Sequence, residues 1–212
     1  MTSKRHLLSL HSCTSLLGIA YLDINHPNSS LKLVTVETGK ELSNNLFKHV
    51  NEILPFDEWK YIKRLSVATG PGSFTGTRIT VSFCRTISQQ IGCQLDGISS
   101  FKIMANRIFK ENKKENFQDP LWITTNSSRR GIIGGLYKIN NGEGISIHNR
   151  ISELKKPGLL EETPLRSHMV EANDNVKSDV LELLEISFES YKKNIYSSWE
   201  NVFPIYPTSP VS

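Results

Sequence analysis

Residues 64–100 read RLSVATGPGSFTGTRITVSFCRTISQQIGCQLDGISS. A β-suited run, Arg64 to Thr69, enters a loop with glycines at 70, 72 and 76. A helical period follows over Thr77 to Ile91, with Ile79, Phe83, Ile87 and Ile91 four residues apart. Leu95 to Ile98 is a further short strand, and Ser99 or Ser100 is suited to cap a helix starting at Phe101. Strand, loop, helix, strand, helix is the order of a parallel crossover. The loop Gly70-Pro71-Gly72-Ser73-Phe74-Thr75-Gly76, with Arg78 just beyond it, brings backbone close to something. That neighbour is either another stretch of protein or an anion held at the helix N-terminus. Its G-x-G-x-x-x-G spacing is one residue too long for the dinucleotide fingerprint, and no Lys follows the last glycine as in a Walker loop. It also lacks the G-x-S-x-G elbow of a serine hydrolase.

On the N-terminal side, Leu7 to Ser12, Leu16 to Asp23 and Leu31 to Val36 read as three antiparallel strands. Leu42, Leu46, Val50, Ile53 and Leu54 share one face of a helix over Glu41 to Leu54, and Pro55 stops it. The order over the first 110 or so residues is β-β-β-α-β-α-β-α, an α/β pattern with a mixed sheet flanked by helices. Residues 110–118, KENKKENFQ, are polar and aperiodic and mark a boundary between units of 1–109 and 110–212. In the second unit Leu121 to Thr125, Ile132 to Ile139 and Ile145 to His148 read as strands, with Asn140-Asn141-Gly142 as a hairpin turn. Ile151 to Asn175 has little period. Val176, Val180, Leu184, Phe188 and Tyr191 lie on one face of a last helix, and the proline-rich tail from Phe203 is extended.

The chain has 212 residues and a formal charge of +4, which suits one large or two small globular domains and permits, without requiring, an anionic partner. Cys13, Cys84 and Cys93 are odd in number and show no C-x-x-C spacing, so they read as reduced thiols. No apolar run reaches the length of a membrane span. His6, His11, His26, His49, His148 and His168 never fall four apart, the spacing that places two imidazoles on one helical face for a metal. Arg107, Lys110, Lys113 and Lys114, interleaved with Glu111 and Glu115, read as a solvated helix face. The adjacent Arg129 and Arg130 read as a candidate anion or partner contact.

The segment SVATGPGSFTGTRIT followed by DGISS resembles the hallmark of the tRNA threonylcarbamoyladenosine biosynthesis family TsaB, also called YeaZ. Only Thr80 departs from the final glycine of that family's loop. Weaker likeness covers nearly the whole chain: Leu8 to Ser12 at the family's opening strand, Ser127 to Gly131 at its D-A-R-R-G-E turn, and Phe203 to Tyr206 at its closing P-x-Y. The resemblance implies two tandem ribonuclease H-like, actin-like (ASKHA) subdomains, the second shortened. It implies a cytoplasmic, non-catalytic subunit in forming N6-threonylcarbamoyladenosine at tRNA position 37. The subunit would dimerise with the TsaD transferase, work with the TsaE ATPase, homodimerise when alone and meet tRNA through the complex. ATP and Mg²⁺ would belong to that complex, with no cofactor in this chain. His11 and Ser127 stand where related actin-like ATPases hold aspartates, which argues against independent hydrolysis. Family members pair through first-domain helices, so the implied interface includes Leu46, Phe47, Val50, Phe83 and Ile87. A stand-alone actin-like ATPase or kinase and a glycoprotease-like or chaperone protein are the competing readings, the latter by fold analogy alone.

Overall fold

Two mixed sheets share a middle layer of helices in the computed structural model, which describes residues 4–111, 119–127, 131–140, 147–165 and 169–207. The first sheet is built from β1 (His6–His11), β2 (Leu16–Asp23), β3 (Lys32–Glu37), β4 (Ile62–Ala68) and β5 (Gln94–Ile98), in the order β3-β2-β1-β4-β5. β1 to β3 form an antiparallel meander, while β1–β4 and β4–β5 are parallel. Antiparallel partners are joined by short turns; the parallel ones need the crossover helices α1 (Leu42–Ile53) and α2 (Phe74–Ile91). β1 is buried along its whole length because both faces of the sheet are covered. Leu8, Leu10, Leu17 and Ile19 pack with Leu46 and Val50 of α1 and Val81 and Cys84 of α2 on one face. Leu7, Ala20 and Leu22 meet Val180 and Leu184 of the last helix, α5 (Val176–Lys192), on the other.

The second sheet follows the order β8-β7-β6-β9, from β6 (Leu121–Ser127), β7 (Gly131–Ile139), β8 (Ile151–Leu159) and β9 (Met169–Glu171). Its inner face, Ile123, Ile133 and Tyr137, packs on Phe101, Met104, Ala105 and Ile108 of α3 (Ser100–Glu111). The linear division after residue 109 therefore separates the strands of the two sheets but not their helices. α3 precedes the division yet packs on the second sheet, and α5 follows it yet packs on the first.

Several segments differ from the sequence reading, β9 among them, which lies in the stretch read as aperiodic. Residues Ile147–Arg150 form a helical turn, α4, where a strand was expected, and the strand lies instead at Ile151–Leu159. β8 hides its period for a physical reason: it is an edge strand, solvated on much of its length, and its register against β7 shifts at Gly134/Leu136 and Leu136/Tyr137. An edge position also tolerates Pro157, whose missing N–H would break a central ladder. Helix α2 starts at Phe74, three residues before the expected Thr77, because the Ser73 side chain caps it by accepting from the Gly76 N–H at 3.2 Å. Asn141 and Gly142 of the proposed hairpin turn lie outside the described residues.

Candidate functional site

The glycine loop is packed against the β1–β2 turn. A Cβ on Gly72 would stand 2.2 Å from the Cys13 carbonyl oxygen, and one on Gly76 2.5 Å from that of Ser12. Several of the loop's backbone groups are bonded to protein. The Ser73 N–H donates to Cys13 O at 2.6 Å, and the Ser100 N–H donates to Gly70 O at 2.8 Å. The Ser100 hydroxyl donates to Pro71 O at 2.6 Å, and the Ile205 N–H donates to Thr69 O at 2.7 Å. Of the two roles open to this loop, backbone against backbone is the one these bonds fill. Thr80 has a use of its own, its buried hydroxyl sitting 2.7 Å from that of Ser12. Pro71 is buried, whereas Phe74, Thr75 and Arg78 are exposed.

A cleft of about 630 Å³ opens between this loop and the end of β6. Its walls include Phe74, Phe101, Met104, Ser127, Ile133 and Tyr206. Among the described lining residues the only charged one is Asp174. Among the described lining residues a polyphosphate would meet no cation, and a Mg²⁺ ion would meet no pair of carboxylates. Among the described residues no cluster of three or more His, Cys, Asp or Glu could hold a metal. Cys13 also lines the cleft, but burial pushes its thiol up to about 11, leaving it protonated and a poor nucleophile.

His11 does not reach the cleft. It is fully buried, and among the described residues neither ring nitrogen has a hydrogen-bond partner. Burial first, and the Arg107 charge second, lower its pKa to about 4. Because the folded value is depressed, the unfolded chain binds the proton first. Stability from the neutral ring is present above the ordinary value of about 6.5 and is lost as pH falls toward 4. Urea unfolding is expected to show about 2–3 kcal/mol less stability at pH 4.5 than at pH 7 from this residue alone. His11→Phe should flatten that part of the profile; an unchanged slope would assign it to the carboxylates.

Arg107 is not on a solvated face. It is buried and donates through Nε to Asp179 Oδ1 at 2.7 Å, and through an Nη to the Asn173 carbonyl at 2.9 Å and side-chain oxygen at 2.8 Å. Lys110 likewise pairs with Glu182 and Glu185, each at 2.5 Å. These bonds tie α3 to α5, and α5 supplies partners that no local pattern around residue 107 announces. Lys113, Lys114, Arg129 and Arg130 lie outside the described residues. Asp96, twenty positions after Gly76, pairs with Arg64 at 2.6 Å and accepts from the Ser197 hydroxyl at 2.8 Å. It anchors the C-terminal segment.

Of the residues proposed to face a partner, Leu46 and Val50 point into the first core and are not available at the surface. The helical period that made them conspicuous reports burial. Phe47 is 51% exposed, and Phe83 and Ile87 are half-buried. Two residues missed by the sequence reading pack with them, the exposed Phe56 and, beneath it, the buried Trp59. Phe47 lies 6.1 Å from Phe56 and 5.4 Å from Trp59, and Trp59 meets Phe83 edge-on at 5.8 Å. Phe56 is 62% exposed. The signal was the FDEW run following α1, whose aromatics have no strand or helix period of their own.

Two sheet-and-helix halves around a cleft give the chain the α/β fold of the actin-like, ASKHA class. A family model described as "TsaD: tRNA N6-adenosine threonylcarbamoyltransferase" matches residues 36–198. The chain belongs to that family, and within it to the TsaB/YeaZ group. It is 23% identical over 160 residues to the tRNA threonylcarbamoyladenosine biosynthesis protein TsaB of Buchnera aphidicola subsp. Acyrthosiphon pisum, covering 71% of each chain. The protein of the same name from Buchnera aphidicola subsp. Schizaphis graminum is 25% identical over 164 residues, covering 67% of this chain and 76% of the relative. In fold it is similar to YeaZ from Pseudomonas aeruginosa, at a TM-score of 0.68 and 16% identity over 95% of this chain and all of that one. A second Pseudomonas aeruginosa structure, described as an uncharacterized protein with similarity to peptidase YEAZ, gives 0.71 at 14% identity over 96% of this chain and all of the other. Among the described residues no helix is long and apolar enough to cross a membrane.

Proposed function

We propose that the chain is a non-catalytic subunit in the biosynthesis of N6-threonylcarbamoyladenosine at tRNA position 37, and that it acts by pairing with a TsaD-type transferase. Membership in the family and the names of the curated relatives support the pathway. The observation that carries the subunit role is the exposed pair Phe47 and Phe56 at the α1–α2 surface, seated on the buried Trp59 and the half-buried Phe83. Large rings left in water beside a packed core are the composition of an interface centre. The cleft, with no described cation in its walls, suits a supporting role better than phosphoryl transfer. In this reading the chain homodimerises through the same patch when alone, tRNA is met through the complex, and ATP with Mg²⁺ is used by the transferase and a TsaE-type ATPase. The cytoplasm is its proposed location.

Size exclusion with light scattering of the chain mixed with its cognate TsaD tests this. A one-to-one complex is expected, weakened roughly 30-fold or more by Phe47→Asp, since an interface centre contributes about 2 kcal/mol or more. Phe47 is half in solvent, so its replacement spares the core. Equal binding by wild type and variant would move the interface off this patch, and no complex with or without TsaE and ATP would remove the role.

A further inference from the structure

Helix α2 has a second flank that the patch above leaves untouched. At about 100° per residue, Ile79, Phe83 and Ile87 lie on the side packed into the first core beside α1. Phe74, Arg78 and Arg85 lie roughly opposite. The C-terminal segment runs along this other flank. Arg85 donates to the Val202 carbonyl at 3.1 Å and stacks over the Phe203 ring at 4.4 Å, while Tyr206 lies 5.4 Å from Phe74, and Arg78 caps Phe74 at 5.0 Å. Phe74, Phe203 and Tyr206 are all exposed. α2 contains no Asp or Glu, and among the described residues neither Arg78 nor Arg85 forms an ion pair. One acid, Glu200, occurs in residues 195–207, where its side chain and N–H both engage Ser198.

Rings and guanidiniums alternating along α2 and residues 195–207, which contain no lysine, match the residues enriched at protein interfaces. A nucleic-acid strand would call for more cations, because each phosphate needs its own neutralising contact. We infer that this flank is a second protein-docking surface, which takes an extended segment of a partner bearing carboxylates. Arg78 and Arg85 are seven residues apart on the helix, about 10 Å. That distance is the span of about three residues of polyproline II conformation, in which every third side chain returns to the same side, so two carboxylates of one extended segment can reach both forks. The surface is separate from the Phe47–Phe83 patch, and the two stand or fall independently.

The test is fluorescence anisotropy of the full chain with a fluorescein-labelled dodecapeptide rich in Glu and Leu, its Gln-for-Glu analogue and a labelled decauridylate. Saturable binding of the Glu peptide is expected, weakened about five-fold or more in the Gln analogue and in the Arg78→Gln/Arg85→Gln double variant, and unchanged in Phe47→Asp. Arg85 supports the tail through Val202, so Arg78→Gln alone, which removes no hydrogen bond to a described residue, is measured alongside and should weaken binding in the same direction. Equal binding of the Glu and Gln peptides, binding indifferent to Arg78, or no binding would overturn the proposal. Binding of decauridylate in place of the peptide would also overturn it, in favour of an RNA surface.

Discussion

Asp179→Ala is expected to lower stability by about 3–5 kcal/mol, because it leaves the buried Arg107 guanidinium only the neutral Asn173 acceptors and a 3.7 Å contact with the exposed Glu111. Both side chains are almost wholly buried, at 4% and 1% exposed, and their bond spans α3 and α5. Those two helices form the layer between the sheets. The change is therefore felt by both cores: Phe101 and Ile108 on one side of the layer and Val180 and Leu184 on the other. For a chain of this length the midpoint of thermal unfolding should fall by about 10–15 °C. A loss caused by an unpaired charge, and not by the missing methylene and carboxyl volume, is reversed when the charge goes too. Arg107→Met/Asp179→Leu should recover most of the wild-type midpoint, since a buried ion pair contributes little over an apolar pair of similar size. A double variant as unstable as Asp179→Ala would show that the remaining Asn173 bonds of Arg107 hold this layer together.

Gly72→Ala is expected to be nearly as damaging, at roughly 3 kcal/mol or more, for a reason in the backbone alone. The added methyl would sit 2.2 Å from the Cys13 carbonyl oxygen and 2.6 Å from the Cys13 Cβ. Neither atom can yield: the carbonyl accepts the Ser73 N–H, and Cys13 lies at the β1–β2 turn. The loop would have to lift, breaking that bond and shifting the Ser73 cap of α2. A drop of about 10 °C in the unfolding midpoint is the expected reading. Gly39→Ala is the comparison, since nothing lies within 4 Å of a Cβ there; its cost is confined to the left-handed φ of +45° and should be about 1 kcal/mol. Equal losses at the two positions would mean that conformational freedom, and not close approach, is what Gly72 supplies.

The GPGSFTG loop was conspicuous in the sequence, but its neighbour was not. That Ser12 and Cys13 would lie beneath it depends on β1 pairing parallel to β4, a contact between residues more than fifty apart. Periodicity found α1 and α2 within a few residues, yet it could not divide α1 between core and surface. Leu46 and Val50 supplied the pattern because they are buried, and the exposed Phe47 broke it. The aromatic patch needed Phe56 and Trp59 from a 3-10 turn whose period matches neither template. β8 was missed because an edge strand with a shifted register carries little alternation.

By itself the sequence determined the α/β order of the first half, the helices with one apolar face, the presence of the glycine loop and the family, because each depends on residues near one another along the chain. Tertiary structure alone decided that Arg107 would be buried against Asp179 and that the cleft walls would hold one described charge. It also decided that α2 would offer one aromatic flank beside α1 and a second, arginine-bearing one beside the tail. Each of these depends on which distant segment comes to lie alongside, and that is settled by the burial of whole faces and not by any local spacing of residues.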